Sequence, residues 1–246
     1  LNRYEEKRKK FHLCVLSYFG KNYTEISILF FKFTSMKHSI KYIFLILLMW
    51  LTRVYGQAPE IEWQNTIGGN LRDEAYSIIQ TTDGGFFVAG YSNSSISGDK
   101  EETCYGGVWG DYWVLKLDNI GEIEWQNTIA ADSDDVIFSV IQTIDGGYLL
   151  GGTSASDSSL NKSEDAIGYG YDTPGGHFEW HDYWIVKLDS VGNIEWENTI
   201  GGDNSEFLYC VQQTTDGGYI LAGESATQTI SGDKTEFGLG SWDWWV

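Results

Sequence analysis

Short hydrophobic runs alternate with turn signals along residues 61–246, and none of these runs is long enough to predict a helix. The runs are rich in Val, Ile, Phe, Tyr and Trp, which is typical of β-strands. In "YWVLKLD", Trp113 and Leu115 occupy one face of the predicted strand, whereas Val114 and Lys116 occupy the other. The pattern therefore predicts an all-β fold.

The runs also repeat in a fixed order. The segment "IEWQNTI" at 61–67 stands again at 123–129 and returns as "IEWENTI" at 194–200. These copies start 62 and 71 residues apart, so one unit has about 62 residues and the second carries nine more. The additional residues follow "YLLGG", which predicts a loop insertion. A repeat of this length indicates an architecture built from one recurring supersecondary unit.

Each unit predicts four antiparallel strands joined by tight turns. The first two strands are joined by Asp83-Gly84-Gly85, where glycine can take the positive φ of a hairpin. Lys116 of the third strand is predicted to pair with a nearby acid, such as Glu124, across the next hairpin. The runs "FFVAG", "YLLGG" and "YILAG" are apolar at consecutive positions, as in strands that are covered on both faces. Stacked four-stranded sheets predict a β-propeller, present as an incomplete set of about three blades, with a β-solenoid as the alternative.

Two residue types recur at one place in every unit. Gly90, Gly152 and Gly223 are predicted to lie where neighbouring backbones crowd near the propeller axis. The tryptophan of the first motif, Trp63 in its first copy, is predicted to wedge between adjacent blades, with ligand stacking as the alternative. Recurrence in every unit favours the packing role.

With these motifs, the chain resembles the secreted bacterial β-propeller repeat proteins that are common among Bacteroidetes. The resemblance rests on "DGGFFVAG", "DYWVLKLDNIGEIEW" and "NTIGG", and it covers residues 61–246. It implies an exported surface or adhesion module. The turns "LDNIGEIEW" and "LDSVGNIEW" are also similar to the docking element of quinoprotein propellers, although Asp and Gly are one residue closer together here.

The N-terminal part of the chain reads as a targeting segment. Residues 42–51, "YIFLILLMWL", form an apolar run that is preceded by lysines and followed by small residues. This predicts a cleaved signal peptide over 36–56 that leaves no stable membrane insertion, with an uncleaved anchor as the alternative. Residues 1–35 are predicted to be a non-native upstream extension. Residues 57–246 are predicted to be a partial propeller, truncated at the C-terminus, whose partner is the missing C-terminal part.

The repeat region is strongly acidic. Residues 1–56 hold ten Lys or Arg and three Glu, which leaves six basic and 32 acidic residues in 57–246, a formal net charge of -26. Such a charge repels nucleic acid and anionic lipid, so we exclude nucleic-acid binding. Cys104 lies in a predicted loop, and Cys210 is predicted to pack as a small residue in a strand, with a disulfide between them as the alternative.

The loops between the second and third strands of each unit are the predicted binding surface, because they vary while the strands do not. They are rich in aromatic residues, whose faces beside carboxylates suit sugar rings. The alternative is that these rings only pack the loops against the scaffold. The candidate ligand-binding residues are Tyr105, Trp109, Tyr171, Trp180 and Trp242.

Acidic turns offer oxygen ligands for Ca²⁺, which is the one cofactor that the sequence suggests. The alternative is a set of solvated turns, since none fits the D-x-D-x-D-G loop. The "SGDK" turns at Asp99 and Asp233 belong to the same group. The candidate metal ligands are Asp132, Asp134, Asp135 and Asp203.

The chain contains no G-x-S-x-G, H-E-x-x-H, phosphate loop or Cys-x-x-Cys motif, and we assign no catalytic residue. The sequence therefore predicts a secreted or cell-surface binding or adhesion module for carbohydrate or protein. The alternative is an exported enzyme on a propeller scaffold, either glycoside-active or quinoprotein-like.

Overall fold

The computed structural model describes the repeat region almost completely. The described residues are 42, 60–105, 110–168, 170–173, 176–178 and 180–246. The predicted extension 1–35 and signal peptide 36–56 therefore lie outside the described residues, apart from Tyr42. Every described strand belongs to the structural unit of residues 62–246. In the described part of the chain, no helix is long and apolar enough to cross a membrane.

The described residues form short strands of three to eight residues each. In chain order they are β1 (Asp73–Gln80), β2 (Phe86–Ser92), β3 (Asp111–Leu117), β4 (Ile123–Ile129), β5 (Asp135–Gln142), β6 (Tyr148–Ser154), β7 (Tyr171–Thr173), β8 (Gly176–Phe178), β9 (Asp182–Leu188), β10 (Ile194–Ile200), β11 (Glu206–Gln213), β12 (Tyr219–Ser225) and β13 (Asp243–Trp245).

The strands form three antiparallel sheets, one for each predicted unit. The first sheet has the order β1-β2-β3-β4, the second β10-β9-β6-β5 and the third β11-β12-β13. The predicted loop insertion contains the small hairpin β7-β8. The all-β fold is confirmed, and so are the four antiparallel strands of the first and second units, whereas the third sheet has three strands. None of the described sheets closes on itself.

The tight turn of the first hairpin is held by one aspartate and one lysine. Asp83 accepts hydrogen bonds from the Thr81 hydroxyl at 2.5 Å and from the backbone N–H of Gly85 at 3.0 Å. The ammonium group of Lys116 lies 3.0 Å from Asp83 and 2.7 Å from Glu124. The predicted pair of Lys116 and Glu124 is confirmed, and the structure adds Asp83 as a second partner. The second unit repeats the arrangement with Lys187, Asp145 and Glu195.

The sheets stack through their apolar faces. Tyr112 and Val114 of the first sheet pack in one cluster with Leu150 and Trp184 of the second. Leu149 and Tyr183 on the opposite face of the second sheet pack with Leu208 and Val211 of the third. Both faces of the second sheet are therefore buried, which is why "YLLGG" is apolar at consecutive positions.

The contact between neighbouring sheets, which we call the seam, is the same in both places. The Ser77 hydroxyl accepts a hydrogen bond from the backbone N–H of Val140 at 3.2 Å. The Ser139 hydroxyl accepts one from Val211, also at 3.2 Å. The repeat therefore encodes both the sheet and its attachment to the next sheet.

The recurring tryptophan lies in the seam, as predicted. The Trp125 ring lies 6.1 Å from the Tyr148 ring of the second sheet and close to Gly192, where a Cβ would come within 2.8 Å of the indole. Asn127 Nδ2 donates to the carbonyl of Gly192 at 2.8 Å. Residues 61–67, which carry the first copy of this motif, pair with no described strand.

The turn between Ser159 and Lys162 contains a strained residue. Leu160 has φ 49°, whereas the equivalent positions of the other units are Gly98 and Gly232 with φ 58° and 55°. Left-handed backbone costs an ordinary L-residue roughly 1–2 kcal/mol, and glycine pays little of this. Leu160 is 60% exposed, so its side chain contributes little burial.

Leu160→Gly is therefore expected to stabilise the chain by roughly 0.5–1 kcal/mol, since added freedom of the unfolded chain offsets part of the gain. The free energy of unfolding from urea titration measures this. The reciprocal change Gly98→Leu is expected to destabilise, because a Cβ there would lie 2.3 Å from the carbonyl oxygen of Gly68. Destabilisation by Leu160→Gly would show that the leucine contributes packing that its exposure does not reveal.

Candidate functional site

A row of three aromatic side chains crosses the three sheets along their first strands. The rings of Tyr76 and Phe138 lie 5.4 Å apart, and those of Phe138 and Tyr209 lie 5.4 Å apart. Tyr76 and Tyr209 are 46% and 47% exposed. We call these three residues the aromatic row. It offers solvent a line of ring surfaces on a rigid scaffold.

Each member of the aromatic row is the extra residue of a β-bulge. In the first sheet, the pairing shifts between Ala75 and Ser77, so that Tyr76 has no opposite partner. The same shift occurs around Phe138 and around Tyr209. A bulge turns the extra side chain away from its usual direction, and bulges are frequent beside functional sites.

The glycines opposite the bulges make room for them. A Cβ at Gly90 would lie 1.9 Å from the carbonyl oxygen of Glu74, and one at Gly152 would lie 2.1 Å from that of Val136. These glycines therefore lie where backbones crowd, whereas their position near a propeller axis stays a prediction. The crowding comes from the bulged neighbour strand of the same sheet, and at Gly152 also from the hydroxyl of Tyr112.

Carboxylates bind the hydroxyl groups at both ends of the aromatic row. Tyr76 donates to Glu74 at 2.8 Å, and Tyr209 donates to Glu224 at 2.7 Å. Burial and the hydrogen bond to Glu74 raise the pKa of Tyr76 to about 12, and burial and Glu224 raise the pKa of Tyr209 to about 12. Both phenols therefore stay neutral donors at physiological pH. Arg72 binds Glu74 at 2.5 Å and adds one exposed cation.

The five loop residues predicted to bind ligand are not brought into one site by the described residues. Tyr105 is 58% exposed, and its backbone N–H donates to Asp111. Trp109 and the side chain of Tyr171 lie outside the described residues. Trp180 is half-buried and lies close to Gly168.

Trp242, the fifth loop residue, belongs to a small aromatic group on the third sheet. Its ring lies 5.8 Å from Phe207, and the ring of His181 stacks on Phe207 from 5.1 Å. Trp242 is 47% exposed. This ring therefore partly packs the loop and partly faces solvent, so both of the predicted roles stay open for it.

The predicted calcium ligands have separate structural roles. Asp135 is fully buried and accepts the backbone N–H of Ala131 at 2.7 Å. Asp203 accepts the hydroxyl of Thr229 at 2.7 Å. Asp132 is exposed, and Asp134 accepts a backbone hydrogen bond through its carbonyl oxygen. Across the part of the chain that the structure describes, no group of three or more His, Cys, Asp and Glu is arranged to hold a metal ion.

The lysines of the "SGDK" turns point into the protein and place buried cations near its carboxylates. Lys100 is 1% exposed and donates to the Thr128 hydroxyl at 2.7 Å. Lys162 and Lys234, at the same position of the next units, are 2% and 5% exposed. Lys116 and Lys187 are buried as well. Arg72 is thus the one exposed arginine or lysine side chain of the described repeat region, and the outer surface is almost purely anionic.

Carboxylates lie on both sides of Lys100, Lys162 and Lys234, and together these side chains form a line through the sheets. Each neighbouring pair interacts electrostatically, and Glu206 and Lys234 are joined through the hydroxyl of Ser225. We call this line the buried ion row, although Asp73 and Asp243 at its two ends are only half-buried. Its members are Asp73, Lys100, Asp111, Asp135, Lys162, Asp182, Glu206, Lys234 and Asp243.

The buried ion row contains two carboxyl groups that titrate near neutrality. Burial raises the pKa of Asp135 to about 7, and the nearby charge of Asp111 acts in the same direction. Burial and Glu206 raise the pKa of Asp182 to about 7. The Oδ1 atom of Asp182 is buried and accepts no hydrogen bond in the described structure.

Both carboxyl groups are sealed from solvent, with exposures of 0% for Asp135 and 1% for Asp182. A carboxyl group that does acid–base catalysis must reach the substrate. Among the described residues, these two raised pKa values therefore report on the stability of the seams and not on a reaction.

The sequence reasoning missed both the aromatic row and the buried ion row. The sequence does contain a signal of the aromatic row, because Tyr76, Phe138 and Tyr209 stand at the same position of the three repeats. The unpaired position of a bulge is not visible in the hydrophobic pattern, so the aromatic residues read as ordinary strand residues.

Compared with known proteins, the chain matches no protein-family model, and no curated protein is significantly similar to it.

Proposed function

We propose that this chain is an exported β-propeller repeat protein that binds carbohydrate through the aromatic row. The observation that carries the proposal is the aromatic row itself, which places three rings 5.4 Å apart on bulges, with carboxylates at both ends. Sugar rings stack their C–H faces on aromatic rings while their hydroxyl groups bind carboxylates.

The propeller geometry is supported by how the sheets meet. The first strand β5 lies against β1, β2 and β3 of the first sheet, and β11 lies against β5, β6 and β9 of the second. The first strands therefore converge from sheet to sheet, as they do around a propeller axis. In this geometry the aromatic row lines the central surface, and every further sheet would add one more aromatic position.

The charge distribution favours a neutral ligand with many hydroxyl groups. The lysines of the repeat are buried, so the surface offers carboxylates and few cations. Polyanions such as nucleic acid are repelled by such a surface. Hydroxyl groups of a glycan can instead donate to the exposed carboxylates. Secretion to the cell surface, an adhesive role and the signal peptide over 36–56 remain parts of this proposal.

Glycan binding is expected to depend on the aromatic row and not on the loops. The ligand is the oligosaccharide that binds best on a glycan array. Tyr209→Ala in the full chain is expected to raise the Kd for this ligand about tenfold, since a ring stacked on a sugar contributes about 1.4 kcal/mol. Tyr209→Phe keeps the stacking and is expected to weaken binding less. The control Tyr105→Ala removes a loop ring that is 58% exposed, more than the 47% of Tyr209, and is expected to leave the Kd unchanged.

Titration calorimetry of the four proteins measures these constants. No bound glycan, or a Kd that changes in Tyr105→Ala and not in Tyr209→Ala, would reject the aromatic row as the binding surface. Release of free sugar from the bound glycan would indicate the alternative, an exported enzyme.

A further inference from the structure

Arg72 and Glu74 form a charged pair that is specific to the first unit of the repeat. The equivalent residues are Asp134 and Val136 in the second unit and Ser205 and Phe207 in the third. All three units nevertheless form the same first strand with the same bulge. The scaffold therefore does not need this pair, which indicates a role for it at the exposed surface.

The pair lies beside the aromatic row. The hydroxyl of Tyr76 donates to Oε2 of Glu74 at 2.8 Å, and the ring of Tyr76 lies against Phe138 of the second sheet. The ring of Tyr91, which is 7% exposed, stacks on Tyr76 from 5.9 Å. The position of the pair is therefore set by contacts within the first sheet and between the first and second sheets.

The guanidinium group of Arg72 is held in one orientation. Its Nε and Nη2 atoms both bind Oε1 of Glu74, at 2.6 Å and 2.5 Å. Its Cζ atom lies 5.6 Å from the centre of the Tyr91 ring, which is a cation–π distance. Hydrogen bonds from Tyr76 and from Arg72 lower the pKa of Glu74, so this carboxylate stays ionised at neutral pH. The cation is thus oriented before a ligand arrives, which reduces the entropy lost on binding.

One edge of this guanidinium group is open to a ligand. Glu74 occupies the edge formed by Nε and Nη2, whereas no described residue accepts a hydrogen bond from Nη1. The side chain of Arg72 is 65% exposed. Nη1 and the second hydrogen of Nη2 therefore present two parallel N–H donors to solvent, which is the arrangement that binds both oxygens of a carboxylate.

Glu74 offers few acceptor positions to a ligand, because Arg72 and Tyr76 already bind its two oxygens. The pair is therefore a donor site. A sugar hydroxyl accepts from one such donor at a time, whereas a planar carboxylate accepts from both and adds a charge. Since Arg72 is the one exposed cation of the described repeat region, this is the one place there where a ligand carboxylate meets an exposed cation.

We propose that Arg72 binds the carboxylate of a single uronic acid residue in an otherwise neutral glycan, an assignment that rests on the carbohydrate binding proposed above. The ring of this residue stacks on Tyr76, and its carboxylate extends from the edge of the ring. The Tyr76 hydroxyl and the guanidinium group share Glu74, so the cation lies beyond the edge of the phenol ring. A glycan with many acidic residues is repelled by the anionic surface.

Titration calorimetry of the full chain with matched oligosaccharides tests the proposal. Each pair is built on the neutral chain that binds best on a glycan array and differs in one terminal residue, which is glucuronic acid or glucose in the first pair and galacturonic acid or galactose in the second. The acidic member of at least one pair is expected to have a Kd about tenfold lower, as a charge-assisted bidentate bond provides. This preference is expected to shrink as the salt concentration rises, because salt screens an exposed charge pair.

Two variants of Arg72 assign the preference to its guanidinium group. In Arg72→Met, the ratio of the two Kd values is expected to fall to about one, since the charge and both donors are lost. Arg72→Lys keeps the charge without the planar fork and is expected to retain part of the preference. The control Ile144→Glu lowers the net charge by the same unit as Arg72→Met, at a turn residue that is 80% exposed, and is expected to keep the full preference.

Equal Kd values within both pairs would overturn the proposal, and so would a preference that survives in Arg72→Met. Tyr209→Ala separates this failure from failure of the proposed function. If it weakens binding of both members while the pairs bind equally, the aromatic row binds carbohydrate and the assignment of Arg72 is wrong. If no oligosaccharide binds the unsubstituted chain, both proposals are wrong.

Discussion

Replacing Lys162 with methionine is expected to lower the free energy of unfolding by about 3–5 kcal/mol near pH 8. Methionine has a similar volume, so the loss comes from charge. Lys162 interacts with Asp182 and with Asp135, both of which are at most 1% exposed. Removing the ammonium group leaves these carboxylates without their cation, and a buried charge that loses its partner is strongly destabilising.

Urea denaturation measures this loss, and two controls separate charge from packing. Arg72→Met removes an exposed cation whose pair with Glu74 is solvated, so a change below about 1 kcal/mol is expected. The double variant Lys162→Met with Asp182→Asn is expected to lose less stability than Lys162→Met alone, because the second change removes a charge that the first one stranded. A loss below about 1 kcal/mol for Lys162→Met would show that the lysine does not neutralise the buried ion row.

The chain is expected to become more stable as the pH falls from about 8 to about 5, by several kcal/mol at about 1.4 kcal/mol per pKa unit. Burial raises the pKa of Asp135 and of Asp182 to about 7 from the ordinary 3.8. Between these values the folded chain binds more protons than the unfolded chain, so stability falls as the pH rises. Asp135 faces Asp111 and Lys162, and Asp182 faces Glu206 and Lys162.

Stability is expected to fall again below about pH 4, where other aspartates lose their charge. Hydrogen bonds from Thr81 and then Lys116 lower the pKa of Asp83 to about 2. Hydrogen bonds from Thr143, then Gly147 and Lys187, lower the pKa of Asp145 to about 2 as well. These groups stabilise the folded chain above the ordinary pKa of 3.8, and this contribution is lost as the pH falls toward about 2. The optimum therefore lies on the acidic side of neutrality.

Asp182→Asn separates the buried ion row from the general acidity of the surface. Asparagine resembles the protonated carboxyl group, so the variant is expected to melt at a higher temperature than the unsubstituted chain at about pH 8 and at the same temperature at about pH 5. The control Asp132→Asn removes an exposed charge and is expected to keep the full pH dependence. A melting temperature that is flat from pH 5 to 8 in the unsubstituted chain would refute the raised pKa values.

The repeat made the sheets predictable from sequence. Period, turn residues and alternation predicted the antiparallel sheets, the pair of Lys116 and Glu124, and the position of the recurring tryptophan between sheets. These features depend on residues that are close in the chain or that recur at one position, and such information is present in a single sequence. Residues 61–67 carry the motif of β4 but pair with no described strand, since pairing also needs a partner strand, which the motif cannot show.

The candidate site was less predictable, for a physical reason. Phe138 reads as one more strand residue, and only the shifted pairing between Ile137 and Ser139 shows that it is displaced by a bulge. The lysine of "SGDK" reads as a solvated charge, whereas the fold turns it inward against carboxylates of two strands. The internal contacts of the acidic turns are equally invisible in the sequence: Asp135 accepts the backbone N–H of Ala131 and interacts with Lys162.

A crystal structure of the purified chain is the most direct test of the central claim, which is that equivalent sheets stack through seams and present the aromatic row. The account predicts Tyr76, Phe138 and Tyr209 side by side on the first strands, with Lys162 between Asp135 and Asp182. One continuous sheet, or first strands on the outside with these rings apart, would contradict it.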